Sequence, residues 1–231
     1  MDVKIYDRLA KRYDFATKVV SFGIEELWRR MFIKEIKKHI KNGTLIDIAS
    51  ATGEMAHKLG FDEMYLIEPS HEMNLIAKSK FNGKWKTENG KWVLEGNKKI
   101  VIIEDTAENF KLNKKVDLVT AFMAIRNFDN LSKGMENLKK HIKPGGYFAI
   151  VEMVKNDSLI AKLIMWYMNK IVPLIAGFLL GMKEEYKLLG KSVNSVEEND
   201  IIGNLDGFKV VKKQKLIFPI ATLIIAKKDD G

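Results

Sequence analysis

Asp47, Gly53 and Glu68 are the residues whose types and spacing first suggest chemistry. In TLIDIASATGEMAHKL, residues 44–59, an apolar strand closes on Asp47, a tight turn forms at Gly53 and a helix begins. A helix start behind a glycine turn presents unpaired backbone N–H groups and lets a ligand approach the main chain closely. Twenty-one residues after Asp47 the next apolar run ends in Glu68, where a carboxylate can accept hydrogen bonds from both hydroxyls of a ribose. Together they read as two walls of a nucleotide-type pocket. SATGEM lacks the G-x-G-x-x-G of dinucleotide sites, and a plain strand–turn–helix with Glu68 on a solvated strand end is the other reading of the same residues.

Other chemistries are thinly represented. The absence of cysteine excludes disulfides and cysteine–metal clusters. His39, His57, His71 and His141 fall in separate elements without ligand spacing, so no metal site is expected. A net charge of +9 favours anionic surfaces, but no basic-aromatic recognition motif accompanies it and nucleic acid is not expected as substrate. The N-terminal MDVKIYDRLAKRYDF is charged and lacks the apolar core of a signal peptide, which predicts cytoplasmic residence.

The elements that position the pocket follow from periodicity. Residues 3–16 and 24–41 read as helices, the second with Trp28, Phe32, Ile36 and Ile40 on one stripe. Runs rich in β-branched residues at 44–50, 64–68, 99–104, 116–122 and 146–153 alternate with helices, which predicts crossover units and a mostly parallel sheet. Leu131, Met135, Leu138 and Ile142 mark a connecting helix stopped by Pro144-Gly145-Gly146. Strands 208–217 and 220–227, joined at Phe218-Pro219, are too close for a crossover and must be antiparallel. Between residues 82 and 98, Asn89-Gly90 flanked by Trp85 and Trp92 predicts a two-residue hairpin, either a solvent-facing insertion or a lid or docking element. The whole chain, 1–231, reads as one domain: N-terminal helices (1–42), a cofactor-binding core (43–153), covering helices (154–200) and a closing hairpin (201–231).

Several of these segments resemble the quinone-biosynthesis C-methyltransferases of the UbiE type, which use S-adenosylmethionine. The resemblance runs from about Tyr6 to Lys228: YDRLAKRYDFATKVVSFGIEELWRR, DIASATGEMA, YLIEPSHEMNLIAKSK, DTAENF and, most specific, VDLVTAFMAIRNFDN followed by HIKPGGYFAIVEM. It implies a doubly wound, seven-stranded α/β fold, mostly parallel, with a C-terminal antiparallel hairpin and an N-terminal helical cap. Asp47, Thr52, Gly53 and Glu68 would hold the amino acid and ribose parts of the cofactor, and Asp105, Thr106 and Ala107 would lie at the adenine. Phe122 would line the pocket near the methyl group, with Arg126 and Asn127 facing the substrate. A fixed guanidinium stabilises the anion that makes a quinol ring nucleophilic, which would be the task of Arg126; a structural ion pair at a strand end is its bland alternative. Ser50 and Ala51 stand where the family has two further glycines. A methyltransferase for another small molecule, or a non-catalytic binding module with a degenerate pocket, are the competing readings.

The acceptor implied is a prenylated quinol or related amphipathic aromatic, and residues 158–183 bear on it. Their uninterrupted apolar part, Ile171–Met182, is shorter than the roughly 20 residues of a spanning helix, with Lys162 and Lys170 before it. An interfacial helix or the wall of an apolar channel is expected, with peripheral membrane contact, against a core helix or homodimer interface.

Overall fold

The computed structural model describes residues 3–181, 183–184, 186–187, 196–217 and 220–230. Its strands are β1 (Thr44–Ile48), β2 (Glu63–Ile67), β3 (Trp85–Glu88), β4 (Lys91–Leu94), β5 (Lys99–Ile103), β6 (Val116–Phe122), β7 (Ile142–Met153), β8 (Phe208–Lys215) and β9 (Ala221–Lys228). They form one sheet in the order β3-β4-β5-β2-β1-β6-β7-β9-β8. The five strands from β5 to β7 run parallel, and β9 lies antiparallel to both β7 and β8. The central strands are buried on both faces and therefore read as continuous apolar runs.

Alternation along each strand splits the core into two layers. Leu45 and Leu66 meet Phe32, Ile36, Met55 and Ala77 on one face. Ile46 and Ile48 meet Met135, Leu138 and Ile201 on the other. The first face carries α3 (Ile24–His39), α4 (Glu54–Leu59) and α5 (His71–Lys80); the second carries α6 (Leu131–Lys140) and α9 (Glu198–Gly203). A third cluster joins the N-terminal α1 (Val3–Leu9) and α2 (Tyr13–Val20) to Met73 of α5 and to Val172 and Ala176 of α8 (Val172–Leu180).

The sheet has nine strands rather than seven. The Asn89-Gly90 turn forms with φ of 50° and 75°, as a tight hairpin requires. Its second strand then pairs with β5, because an edge strand offers unpaired donors and acceptors to whatever strand lies beside it. The insertion thus extends the sheet while its outer strand β3 stays largely exposed to solvent. The helix expected over 3–16 is two helices around a 3-10 turn at Ala10–Arg12, a bend that buries both Leu9 and Ala10, and α2 continues to Val20. Pro144-Gly145-Gly146 lies within β7, since α6 has already ended at Lys140 and Ile142 opens the strand. Residues 159–180 form one helical run, α7 (Leu159–Trp166), a π turn (Tyr167–Ile171) and α8. Its stretch Leu159–Phe178, 20 residues at mean hydropathy 1.4, is long and apolar enough to cross a membrane by length and composition only; its uninterrupted apolar part is shorter, because Lys162 and Lys170 interrupt the stretch. Phe218 and Pro219, and part of the stretch after Gly181, lie outside the described residues.

Candidate active site

The pocket forms where β1, β2 and β6 end. Asp47 is almost wholly buried, and its Oδ1 accepts a hydrogen bond from the Thr120 hydroxyl at 2.7 Å. Burial pushes its carboxyl up to about 6 against the pull of that bond. The loop beyond it bends through left-handed backbone at Ala49 (φ 48°), Ala51 (φ 46°) and Gly53 (φ 71°). For an L-residue that conformation costs about 1 to 2 kcal/mol, so two alanines hold the shape that glycine would adopt without strain.

The shape has a use. Glu68 accepts from the Ala51 N–H at 3.0 Å and, through its other oxygen, from the Ser70 N–H at 2.9 Å. Burial raises its carboxyl to about 7, opposed by those two donors and reinforced by Asp7 and Asp47. Beside these groups lies a cavity of about 440 Å³ whose lining includes Ala49, Ser50, Ala51, Thr52 and Glu68, so the side chains that replace glycine leave it open. Among the described residues, Asp47 Oδ2 and Ser50 Oγ are buried there without a partner, which fits a polar ligand.

The N-terminal helices cover this half. Asp7 Oδ1 accepts from the Ser70 hydroxyl at 2.6 Å, and Asp14 Oδ1 from the Thr52 hydroxyl at 2.7 Å. Lys80 then bridges Asp14 at 2.7 Å and Glu54 at 2.8 Å.

The opposite half of the same cavity is apolar, lined by Trp28, Met153, Ile164, Met168 and Ile220. The π turn carries Tyr167 and Met168 to its wall, an irregularity such turns often provide at functional sites. Its polar features include Glu25 and Arg29 of α3 and the turn after β6. Arg126 Nη1 donates to Glu152 Oε1 at 2.5 Å, and the Arg126 backbone N–H reaches Glu152 Oε2 at 3.1 Å. Glu152 is fully buried on β7. Burial works against the guanidinium's charge, but Glu152, followed by Tyr6 and Tyr13, outweighs it and raises the pKa, so Arg126 stays protonated. Its Nε is buried without a partner among the described residues. Burial raises the Tyr6 hydroxyl, with Arg126 and Asn127 opposing it.

Of the residues singled out from the sequence, Asp47, Thr52, Glu68, Phe122, Arg126 and Asn127 line the one cavity. Gly53, Asp105, Thr106 and Ala107 are not in its lining. A Cβ on Gly53 would stand 3.1 Å from Ala77 Cβ and Leu66 Cδ2, so this glycine serves the packing of α4 against β2 and α5. Asp105 Oδ1 accepts from the Thr106 N–H at 2.8 Å, and Ala107 is buried in the second core layer. Sequence reasoning passed over Tyr6, Tyr13, Glu25 and Arg29, which also line the cavity. Glu25 and Arg29 precede Trp28 and Phe32 by three residues each, on the buried stripe of α3, and that position was the available signal.

A doubly wound sheet ordered β5-β2-β1-β6-β7-β9-β8, with its cavity at the carboxyl ends of the central strands, defines the class I S-adenosylmethionine-dependent methyltransferases. The solved magnesium protoporphyrin IX methyltransferase of Synechocystis, with S-adenosylhomocysteine bound, shares this fold at a TM-score of 0.65 and 12% identity, covering 99% of this chain and 100% of its own. Within that class, the sequence profile of the ubiE/COQ5 methyltransferase family matches residues 2–228, and the chain belongs to that family. Relatives include the ubiquinone/menaquinone biosynthesis C-methyltransferase UbiE of Geotalea daltonii, 30% identical over 97% of this chain and 95% of its own length. The demethylmenaquinone methyltransferase of Chlorobaculum tepidum is 26% identical over 97% and 90%. The chain is a methyltransferase, and S-adenosylmethionine is its cofactor.

Proposed function

We propose that this protein methylates a ring carbon of a prenylated quinol or related amphipathic aromatic, working in the cytoplasm at the membrane surface. The observation that carries this reading is a shared cavity, in which the carboxylate-bearing cofactor loop opens directly onto a largely apolar chamber where Glu152 clamps the Arg126 guanidinium. In it, Glu68 would accept from the ribose hydroxyls and Asp47 and Thr52 would hold the amino acid end, with Gly53 shaping the turn from behind; Asp105, Thr106 and Ala107, outside the cavity lining, would border an adenine that extends beyond it. The bound cofactor supplies an electrophilic methyl group on a sulfonium. The protein supplies alignment: holding a ring carbon in line with that methyl is worth about 7 to 11 kcal/mol of barrier. Arg126, clamped by Glu152, stabilises negative charge on the ring oxygen as the carbon becomes nucleophilic, without reorganising at the moment of reaction. Phe122 and Asn127 orient the acceptor beside it.

Membrane contact is supported by the outer face of α7–α8. Leu159, Leu163, Trp166, Leu174 and Phe178 are all exposed, Phe178 at 90%. Next to them Phe22, 74% exposed, packs its ring 5.9 Å from Tyr167, and both line the cavity, so the chamber's mouth adjoins the apolar face. An amphipathic acceptor could then leave its tail in lipid while its ring enters.

Calorimetry with S-adenosylmethionine and S-adenosylhomocysteine, followed by mass spectrometry of quinols for the gain of one methyl group, tests the reaction. Absence of binding at millimolar ligand would leave only a binding module, and methylation of soluble phenols alone would move the acceptor elsewhere. Flotation with anionic vesicles, read beside sedimentation, separates lipid contact from a homodimer built on the same face.

A further inference from the structure

Arg126 can stabilise an oxyanion but cannot accept the proton whose loss creates one. Some other group in the chamber must take the hydroxyl proton of the acceptor, and the structure narrows the choice. Glu54 is engaged by Lys80 and Lys58, which hold its carboxyl near 2 despite partial burial. Asp14 is bound to Thr52 and Lys80. Glu68 and Asp47 belong to the cofactor half, and Glu152 is fully buried behind Arg126. Tyr6 and Tyr13 are pushed up by burial and hold their own protons.

We infer that Glu25 is the base that removes the acceptor's ring-hydroxyl proton, a role that rests on the methyl-transfer reading above. Glu25 opens α3 and lines the chamber. Its Oε1 is held by Arg29, four residues on, and no other hydrogen bond engages the carboxylate among the described residues. Arg29 in turn stacks on Phe122, with its guanidinium carbon 4.6 Å from the ring centroid. That chain of contacts fixes Glu25 against the end of β6, the strand whose following turn presents Arg126. Tyr13, Glu25, Arg29 and Arg126 line the same cavity, so base and oxyanion stabiliser border one space.

The surrounding charges suit the task. Burial raises the Glu25 carboxyl above the ordinary range, Arg29 opposes this, and Glu26 on the same helix and Asp14 on α2 add to it. Tyr13 faces it from α2. A carboxylate raised in this way is a stronger base than one in water.

The step balances as follows. The O–H proton moves to the Glu25 carboxylate, the ring carbon forms a bond to the methyl carbon, and the sulfur–methyl bond breaks with its electron pair returning to sulfur. The hydrogen on the methylated carbon leaves as a proton to water, and Glu25 returns its proton to the ring oxygen, so one proton is released per methyl transferred.

Glu25→Gln, which keeps an acceptor for Arg29, tests the assignment. Its kcat should fall about 10²- to 10⁴-fold, the usual contribution of a general base, and the acid limb of the kcat–pH profile should vanish. S-adenosylhomocysteine affinity by calorimetry and acceptor binding by quenching of tryptophan fluorescence should stay within about two-fold, and Glu25→Asp should retain more activity than Glu25→Gln. Turnover of Glu25→Gln within about three-fold of the parent, an unchanged acid limb, or loss of both bindings would overturn it. Failure of the parent reading looks different: the unmodified chain would then turn over no quinol.

Discussion

Arg126 is held at two points by Glu152, whose carboxylate has no access to solvent. Arg126→Lys keeps the charge and loses the planar fork, so kcat is expected to drop about 10²- to 10³-fold while S-adenosylhomocysteine affinity stays within about two-fold in a calorimeter. Arg126→Ala leaves Glu152 buried and unpaired, and denaturant titration should show an additional loss of about 3 to 5 kcal/mol. Glu68 gives a pH prediction. With its folded pKa near 7, above the ordinary glutamate value of 4.5, the unliganded fold prefers the neutral form. Its contribution to stability is present below pH 4.5 and lost as pH rises through 7, on the order of 3 kcal/mol in all. A ribose donating two hydrogen bonds prefers the carboxylate, so cofactor affinity should rise as pH rises through 7, with proton release seen as a buffer-dependent heat. Glu68→Gln should flatten that dependence. Glu68 was legible in the sequence because a strand end fixes where its side chain goes. Glu25 was not, because an acidic residue four before an arginine reads as an ordinary helix-surface pair until the sheet beneath it is known.

At the scale of elements, α7–α8 buries Ala161, Val172, Pro173 and Ala176 among its described residues and turns Ile164, Tyr167 and Met168 to the cavity, leaving a second, apolar face exposed. Replacing the exposed Trp166 and Phe178 together by serine should weaken binding to anionic vesicles at least about ten-fold, since each ring transfers roughly 1.5 to 3 kcal/mol of apolar surface into lipid. Cofactor affinity should not change. Higher salt should weaken the parent's vesicle binding further, through the lysines that accompany this face. Periodicity located the strands of the parallel core and the closing hairpin, because those features are set by burial pattern within short windows. It could not show that β4 would join β5, nor that the helix over 3–16 would bend, because both depend on a surface supplied by residues distant in the chain. The alanines at left-handed φ are a related case: Glu68 fixes the Ala51 amide from 17 residues away, and no local preference of alanine would announce it.

The molecule as a whole is a sheet with a helical cap closed over one end. Resemblance to a family conveyed a doubly wound, mostly parallel sheet and the place of the cofactor loop, while the division of the chamber into a proton-accepting wall and a charge-stabilising wall emerged only with α3 seated on β6. The cap is tied to the cofactor half at Asp7–Ser70 and Asp14–Thr52, so the helices that close the pocket also share hydrogen bonds with the elements that would touch a ligand. Those two tethers make the N-terminal helices an occupancy gauge. At a hundredfold excess over Kd a ligand adds about 2.7 kcal/mol to the liganded fold, and hydrogen exchange at the amides of α1 and α2 should slow by about two orders of magnitude, reporting from the first helices of the chain what fills the pocket they cover.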